Sequence, residues 1–312
     1  MKLQQLRYLR EVVRRGLNVS DAAEALYTSQ PGISKQIRLL EDELGVQILV
    51  RHGKRVVDLT EPGRIIVEIA DRMLQDAESL KAVGREFGKE DTGVLSIATT
   101  PTLARYALPA AVRRFVQAHT RVRLNLREGS PEQISEFVAA GEVDLGVVSE
   151  VQGAQDNLVV LPCYQWNRGI VTPVDHPLLA EQLTLEAVAR YPLVTYDFAF
   201  GSHSPIGKAF DARGLKPNVA LTAVDADVIK SYVELGVGIG IIAKMAFDAE
   251  RDTALRLIDA SQLFEPSTTR VAVRRNAYLR RYVYDFIELF APHLSRSVVE
   301  KTMRTPGTDY EL

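Results

Sequence analysis

The chain has 312 residues, of which 46% are hydrophobic and 25% charged, a formal net charge of −2, and a single cysteine, Cys163. That length suits two or three domains rather than one. The lone cysteine excludes a disulfide framework within the chain, and no uncharged run approaches the ~18 residues of a membrane-spanning helix. Residues 1–60 hold 10 Lys and Arg against 7 Asp and Glu, which leaves −5 on residues 61–312. A mildly basic head on an acidic body suits a nucleic-acid partner for the head. Charges throughout the first ten residues leave no apolar core for a signal peptide, so a cytoplasmic location is expected.

Leu3, Leu6, Leu9 and Val13 recur at helical spacing and predict a first helix with one apolar face. Asn18 or Ser20 can cap a second helix running through Ala22, Ala23 and Leu26, whose alanines admit close approach of a neighbour. Ser29 is a good N-cap for a third helix, and Pro31 fits its first turn, where a missing N–H does no harm. Ile33, Ile37 and Leu40 then face a core. Gln30, Ser34, Lys35 and Arg38 face out, where they can read base edges or hold phosphates. A solvated helix face has the same composition. The DNA reading is favoured because spacing, turn, cap and the next segment agree. That segment, Arg51-His52-Gly53-Lys54-Arg55 between Leu49 and Val56–Leu59, reads as a β-hairpin with a Gly turn and a basic tip, a wing. The candidate DNA-binding residues are therefore Ser29, Gln30, Pro31, Ser34, Lys35, Arg38, Arg51, His52, Lys54 and Arg55.

From about Pro62 to Gly88 no turn cluster interrupts a long helix. Ile66, Met73, Leu80 and Phe87 fall seven apart, as do Ala70, Ala77 and Gly84 on the neighbouring position. Alternating bulky and small residues predict a helix–helix seam, here a dimer seam. Lys89-Glu90-Asp91-Thr92-Gly93 reads as the hinge that follows.

Val94–Ala98, Val122–Leu126 and Val143–Val148 have strand patterns, separated by helices over Leu108–Val116 and about Pro131–Ala140. The alternation recurs from about residue 166 to 258, predicting two α/β lobes built on parallel sheets with helices on both faces. A strand at Thr269–Val273 and a helix through Tyr282, Phe286 and Phe290 close the pattern. Ligands in such folds sit at the carboxyl ends of strands. There the chain places hydroxyls: Thr99, Thr100 and Thr102 after the first strand, Ser149 after the third, and Ser202 with Ser204 before a helix of the second lobe. Hydroxyls without a nearby cation suit a compact anion or a polar carboxylate ligand, although N-capping alone explains most serines and threonines at such places.

Several patterns carry no chemistry. Gly236-Val237-Gly238-Ile239-Gly240 lies between a helix and a strand, the reverse of the dinucleotide fingerprint. The five histidines have no ligand spacing, and Cys163 has no base partner for nucleophilic work. Neither a cofactor nor a metal is expected. A solute receptor without DNA function is disfavoured by the head, and an α/β enzyme by the missing nucleophile–base pair.

Ala22-Ala23, Ser29-Gln30-Pro31, Ser34, Ile37, Leu40-Glu41, Leu44-Gly45, Leu49, Arg51 and Leu59-Thr60 with Pro62-Gly63 resemble the winged helix-turn-helix of LysR-type transcriptional regulators. Thr99–Pro109, Tyr191–Tyr196 and Asp225–Lys230 further resemble the cysteine-regulon (CysB-like) activator branch. The resemblance implies an N-terminal winged helix-turn-helix (1–60), a linker and dimerisation helix (61–90) and a two-lobed, periplasmic-binding-protein-like effector domain (91–312). Lobe I would take about 93–162 and 267–292, and lobe II about 163–266, with crossings near Pro162 and Ser267. It implies a homotetramer on double-stranded promoter DNA that contacts RNA polymerase and controls sulfur-assimilation genes. It also implies that Thr100, Thr102, Ser149 and Ser202 bind sulfate, acetylserine or a related anion. The chain departs from that branch at Pro101 and Leu103, where His and Gln are usual, so a regulator of sulfonate use or of another pathway is the alternative.

Overall fold

The computed structural model describes residues 1–53, 55–87, 92–149, 157–201 and 204–305. Backbone contacts divide the chain into two units, 1–89 and 90–312.

The first unit is helical with one hairpin. Its order is α1 (Leu3–Arg14), α2 (Val19–Ala25), α3 (Gln30–Leu44), β1 (Leu49–His52), β2 (Arg55–Leu59) and α4 (Glu61–Phe87). Asn18 caps α2 by accepting from the Ser20 and Asp21 amides, and Ser29 caps α3 by accepting from Gly32 N–H. Gly45 ends α3 at φ +70°, a left-handed conformation that glycine adopts without a side-chain clash. Leu6, Leu9, Val12, Ile33, Ile37 and Leu40 form the core, with Val12 rather than Val13 fully covered.

The seam expected along α4 is divided. Ala70 and Leu74 are buried, with Ile66, Val67 and Met73 packed beside them, because α1's apolar face takes its cover from the first half of α4. Arg7–Glu78 (3.4 Å) and Arg10–Asp71 (4.0 Å) ion pairs flank that contact. What α4 leaves exposed is Leu80 of the expected seam, together with Ile65 and Ile69 outside it. The Phe87 side chain and hinge residues 89–91 lie outside the described residues.

The second unit begins β3 (Gly93–Thr99), α5 (Pro101–Tyr106), α6 (Pro109–Ala118), β4 (Val122–Glu128), α7 (Pro131–Ala139), β5 (Leu145–Val148) and β6 (Leu158–Trp166). It continues with β7 (Arg168–Pro173), α8 (Leu185–Ala189), β8 (Leu193–Tyr196), α9 (Pro205–Ala212), β9 (Val219–Ala223), α10 (Ala226–Glu234) and β10 (Ile239–Ala243). It ends with β11 (Leu255–Asp259), β12 (Ser267–Arg274), α11 (Arg281–Phe290) and α12 (Arg296–Arg304). Two five-stranded sheets result, ordered β4-β3-β5-β12-β6 in lobe I and β11-β7-β10-β8-β9 in lobe II.

Both sheets are mixed, not parallel. β3, β4 and β5 run parallel, but β12 is antiparallel to β5 and β6, and β7 is antiparallel to β10 and β11. The strands that carry the chain between lobes must return against the direction of the βαβ units, which forces the antiparallel pairs. The first crossing is at Asn167, beyond Pro162, because β6 runs on to Trp166. Pro162 is tolerated there because β6 is an edge strand and its ladder slips between Thr269 and Arg270.

Candidate functional site

The outward face of α3 carries Gln30, Pro31, Lys35 and Arg38, all exposed, with Ser34 half-buried one turn from Gln30. Gln30 Nε2 donates to Ser34 Oγ at 3.1 Å, so the two amphoteric groups present one linked edge. The inward residues Ile33, Ile37 and Leu40 are fully covered. Helical period alone therefore separates a packing face from a face that meets solvent. Ser29 is exposed at the cap, and His52 and Arg55 are exposed on the hairpin; Lys54, at its tip, lies outside the described residues.

Arg51 does something other than the sequence suggested. Its guanidinium meets the Glu41 carboxylate in two bonds, Nη2 to Oε2 at 2.8 Å and Nη1 to Oε1 at 3.2 Å. Glu41 is 2% exposed, and its Oε1 also accepts from Ile48 N–H (2.8 Å) and Leu49 N–H (3.0 Å). One buried carboxylate thus joins the end of the third helix to the base of the wing. Burial pushes the Glu41 pKa up, but the Arg51 and backbone N–H bonds outweigh it and hold the carboxyl below its usual range. A bidentate arginine engaged inward is a clamp, so Arg51 is reassigned from phosphate contact to support. At the wing's other end Thr60 Oγ1 donates to Gln47 O at 2.6 Å. A Cβ on Gly63 would stand 2.2 Å from Ile48 O, so only glycine lets α4 start so close to the wing.

In the second unit the carboxyl ends of β3 and β5 face the start of α9 across a cavity of about 30 Å³. A single water needs only ~10–15 Å³, so the space suits a group of a few atoms. Thr100, Thr102 and Ser149 all line it, together with Trp166, Arg168, Tyr196 and Ser204, and the remaining wall is apolar. Ser202 lies outside the described residues.

The hydroxyls differ in what they already do. Thr100 caps α5, its Oγ1 accepting from Leu103 N–H at 3.4 Å. Ser149 Oγ accepts from Trp166 Nε1 at 3.0 Å and lies 3.5 Å from Thr269 Oγ1. Ser204 caps α9 by accepting from Ile206 N–H at 3.2 Å. Thr102 is 6% exposed, and its hydroxyl stands against the buried Tyr196 phenol.

Arg168 corrects the expectation of a site without a cation. It is 3% exposed, stands 5.0 Å from the Trp166 ring, and donates to Glu265 O (3.2 Å) and Ser267 Oγ (2.7 Å). Trp166 and Arg168 flank the crossing at Asn167, so the loss of strand pattern there was the available signal. Tyr196, fully buried, accepts from Ala243 N–H at 3.2 Å, and burial raises its pKa, against that bond. Cys163 lies in the lobe I core, where burial pushes its thiol up to about 12 and leaves it unreactive. Gly236–Gly238 forms the turn from α10 into β10, which already includes Gly240; a Cβ on Gly238 would stand 2.2 Å from Pro192 O.

These geometries coincide with the family comparisons. Residues 3–64 match the family described as bacterial regulatory helix-turn-helix protein, lysR family, and residues 88–295 match the LysR substrate binding domain. The chain is a LysR-type transcriptional regulator. Members of this family bind promoter DNA and small-molecule effectors and are not enzymes. The regulator is 51% identical over 313 residues to the HTH-type transcriptional regulator CysB of Burkholderia cenocepacia, covering 100% of both chains. It is also 51% identical to the regulator SsuR of the same organism, over 97% of this chain and 99% of that one. Among solved structures, the cofactor-binding domain of the Cbl transcriptional regulator matches with a TM-score of 0.65 and 38% identity. That match covers 69% of the regulator and 95% of the Cbl chain. No helix among the described residues is long and apolar enough to cross a membrane.

Proposed function

We propose that the regulator controls sulfur-assimilation and cysteine-biosynthesis genes and takes its signal from a small oxyanion or acetylserine-type effector bound between the lobes. Residues 1–60 contact DNA through Ser29, Gln30, Pro31, Ser34, Lys35, Arg38, His52, Lys54 and Arg55. Residues 61–90 dimerise, and 91–312 hold the effector. The observation that carries the effector reading is the convergence of the Thr100, Thr102 and Ser149 hydroxyls on one small, mostly apolar cavity. Three hydroxyls lining a small, mostly apolar cavity suit an acceptor-rich, few-atom group. The working form is a cytoplasmic homotetramer that meets RNA polymerase at the promoter, because paired half-sites require two-fold symmetric heads.

Effector and DNA then influence each other reciprocally, since both act on the same distribution of conformations. DNase protection of a sulfur-gene promoter with and without sulfate or acetylserine tests this; an identical footprint under every ligand rejects the sensing role. Lys35→Glu with Arg38→Glu tests the head. Promoter affinity falls at least tenfold in a folded dimer if α3 lies in the groove, and unchanged affinity rejects that reading. A regulator of sulfonate use or of another pathway is the second reading, supported by the departures from the branch pattern at Pro101 and Leu103.

A further inference from the structure

The two lobes are joined at a second place, away from the crossing strands. Tyr106 ends α5, which belongs to lobe I, yet its ring packs against the lobe II core. Met245 reciprocates, reaching from lobe II onto the lobe I core. At this contact Tyr106 OH donates to Asp227 Oδ1 at 2.7 Å, and Arg105 Nη1 lies 2.5 Å from Asp227 Oδ2. Asp227 is on the first turn of α10 in lobe II, so both contacts run from one lobe to the other.

Lobe II holds that carboxylate in place from behind. Lys230, one turn along α10, is nearly buried and lies 2.9 Å from Asp227 Oδ1. Its Nζ also donates to both oxygens of Asp252 at 2.9 Å, to Ala246 O at 2.8 Å and to Tyr106 OH at 3.2 Å. These bonds raise its pKa against the effect of burial, which keeps it charged. The Asp227 carboxylate therefore has one cation from each lobe and a phenol from lobe I. The Tyr106–Asp227 bond is charge-assisted, and bonds of that kind are short and strong.

We infer that Arg105 and Tyr106 on α5 and Asp227 on α10 form a latch that holds the lobes closed over the cavity. The six-residue α5 carries the latch at one end and the cavity hydroxyls of Thr100 and Thr102 at the other. A rigid element of that length cannot release one end and keep the other in place. Contacts made only in the closed form bias the protein toward it, and an effector that needs closure binds in proportion to the closed fraction. Tyr106 and Asp227 are positioning residues in this scheme; neither lines the cavity.

Hydrogen exchange on the full-length, ligand-free protein tests the latch. Tyr106→Phe removes both phenol bonds, to Asp227 and from Lys230, and keeps the ring packing. Losing these bonds to charged groups speeds exchange about tenfold or more, and the effect appears on both sides, in peptides covering 100–106 and 243–247. Asp252→Asn perturbs an interaction confined to lobe II and speeds exchange only there. The latch is overturned if Tyr106→Phe leaves protection unchanged, or if it loosens lobe II alone as Asp252→Asn does. Calorimetric titration with inorganic sulfate supplies the second arm, in which Tyr106→Phe weakens binding by the factor seen in exchange. This arm alone rests on the cavity being the effector site. If the unaltered protein takes up neither sulfate nor acetylserine, the effector reading fails while the exchange result still decides the latch.

Discussion

Removal of Glu41 should unfold the head while leaving the effector domain intact. Glu41→Ala strands the Ile48 and Leu49 amides, which now donate at 2.8 and 3.0 Å to a carboxylate 2% exposed, and it leaves Arg51 without its bidentate partner. Breaking a buried pair from one side, with its backbone bonds, costs about 3–5 kcal/mol, a large share of a small domain's stability. Glu41→Gln keeps one oxygen for the amides and loses the charge, for about 1–2 kcal/mol. Arg51→Ala should fall between, because the carboxylate keeps its two amide donors. The single tryptophan, Trp166, lies in the effector domain, so urea unfolding followed by far-ultraviolet circular dichroism and by tryptophan emission separates the two units. Only the dichroism transition should move, furthest in Glu41→Ala, less in Arg51→Ala and least in Glu41→Gln. Gel shifts in graded salt complete the test, since each phosphate contact contributes about 0.9 to the slope of log affinity against log salt. A folded Arg51→Ala protein should keep the slope of the original. A slope lower by that amount, or a Glu41→Ala loss under about 1 kcal/mol, would refute the clamp.

The same carboxylate makes the head sensitive to acid. Its pKa is lowered in the folded state, so its stabilisation is complete above the ordinary carboxyl range and fades as pH falls through the depressed value. Dichroism melts at pH 7, 4.5 and 3 should show this fall, and it should vanish in Glu41→Gln. Ser149→Ala removes the acceptor of Trp166 Nε1 and should shift the tryptophan emission of the ligand-free protein; sulfate binding should weaken about tenfold with little change in melting temperature. Leu80→Lys, at a position 75% exposed on α4, should shift the protein toward monomer in sedimentation and leave the head folded. Met73→Lys, packed on α1, should instead destabilise the head.

The sequence spoke clearly where one physical requirement dominates. Periodicity picked out Ile33, Ile37 and Leu40 against Lys35 and Arg38 because a half-buried helix must segregate its faces. Caps at Asn18 and Ser29 were readable because a short polar side chain before a helix has few other uses. What escaped depended on distant partners. Heptad spacing along α4 could not say whether Met73 meets another chain or α1, since both present an apolar stripe. Arg51 carries the same charge whether it faces a phosphate or Glu41, ten positions earlier in the chain. α5 was hidden because six residues beginning with proline resemble a turn. α12 lies past Phe290, where the strand–helix alternation stops. At the cavity, Thr100, Thr102 and Ser149 could be named from their places after strands, whereas Trp166 and Arg168 come from a crossing whose position Pro162 disguised.

Thr60 and Gly63 fasten the first turn of α4 to the base of the wing. At about 1.5 Å per residue, the 27-residue helix is a shaft some 40 Å long, welded at one end to the part that meets the double helix. Tipping such a shaft by about five degrees swings its welded end through roughly 3.5 Å, close to one step between stacked bases (~3.4 Å). A rotation too slight to disturb any packing interior is therefore enough to move a head out of phase with the letters it reads.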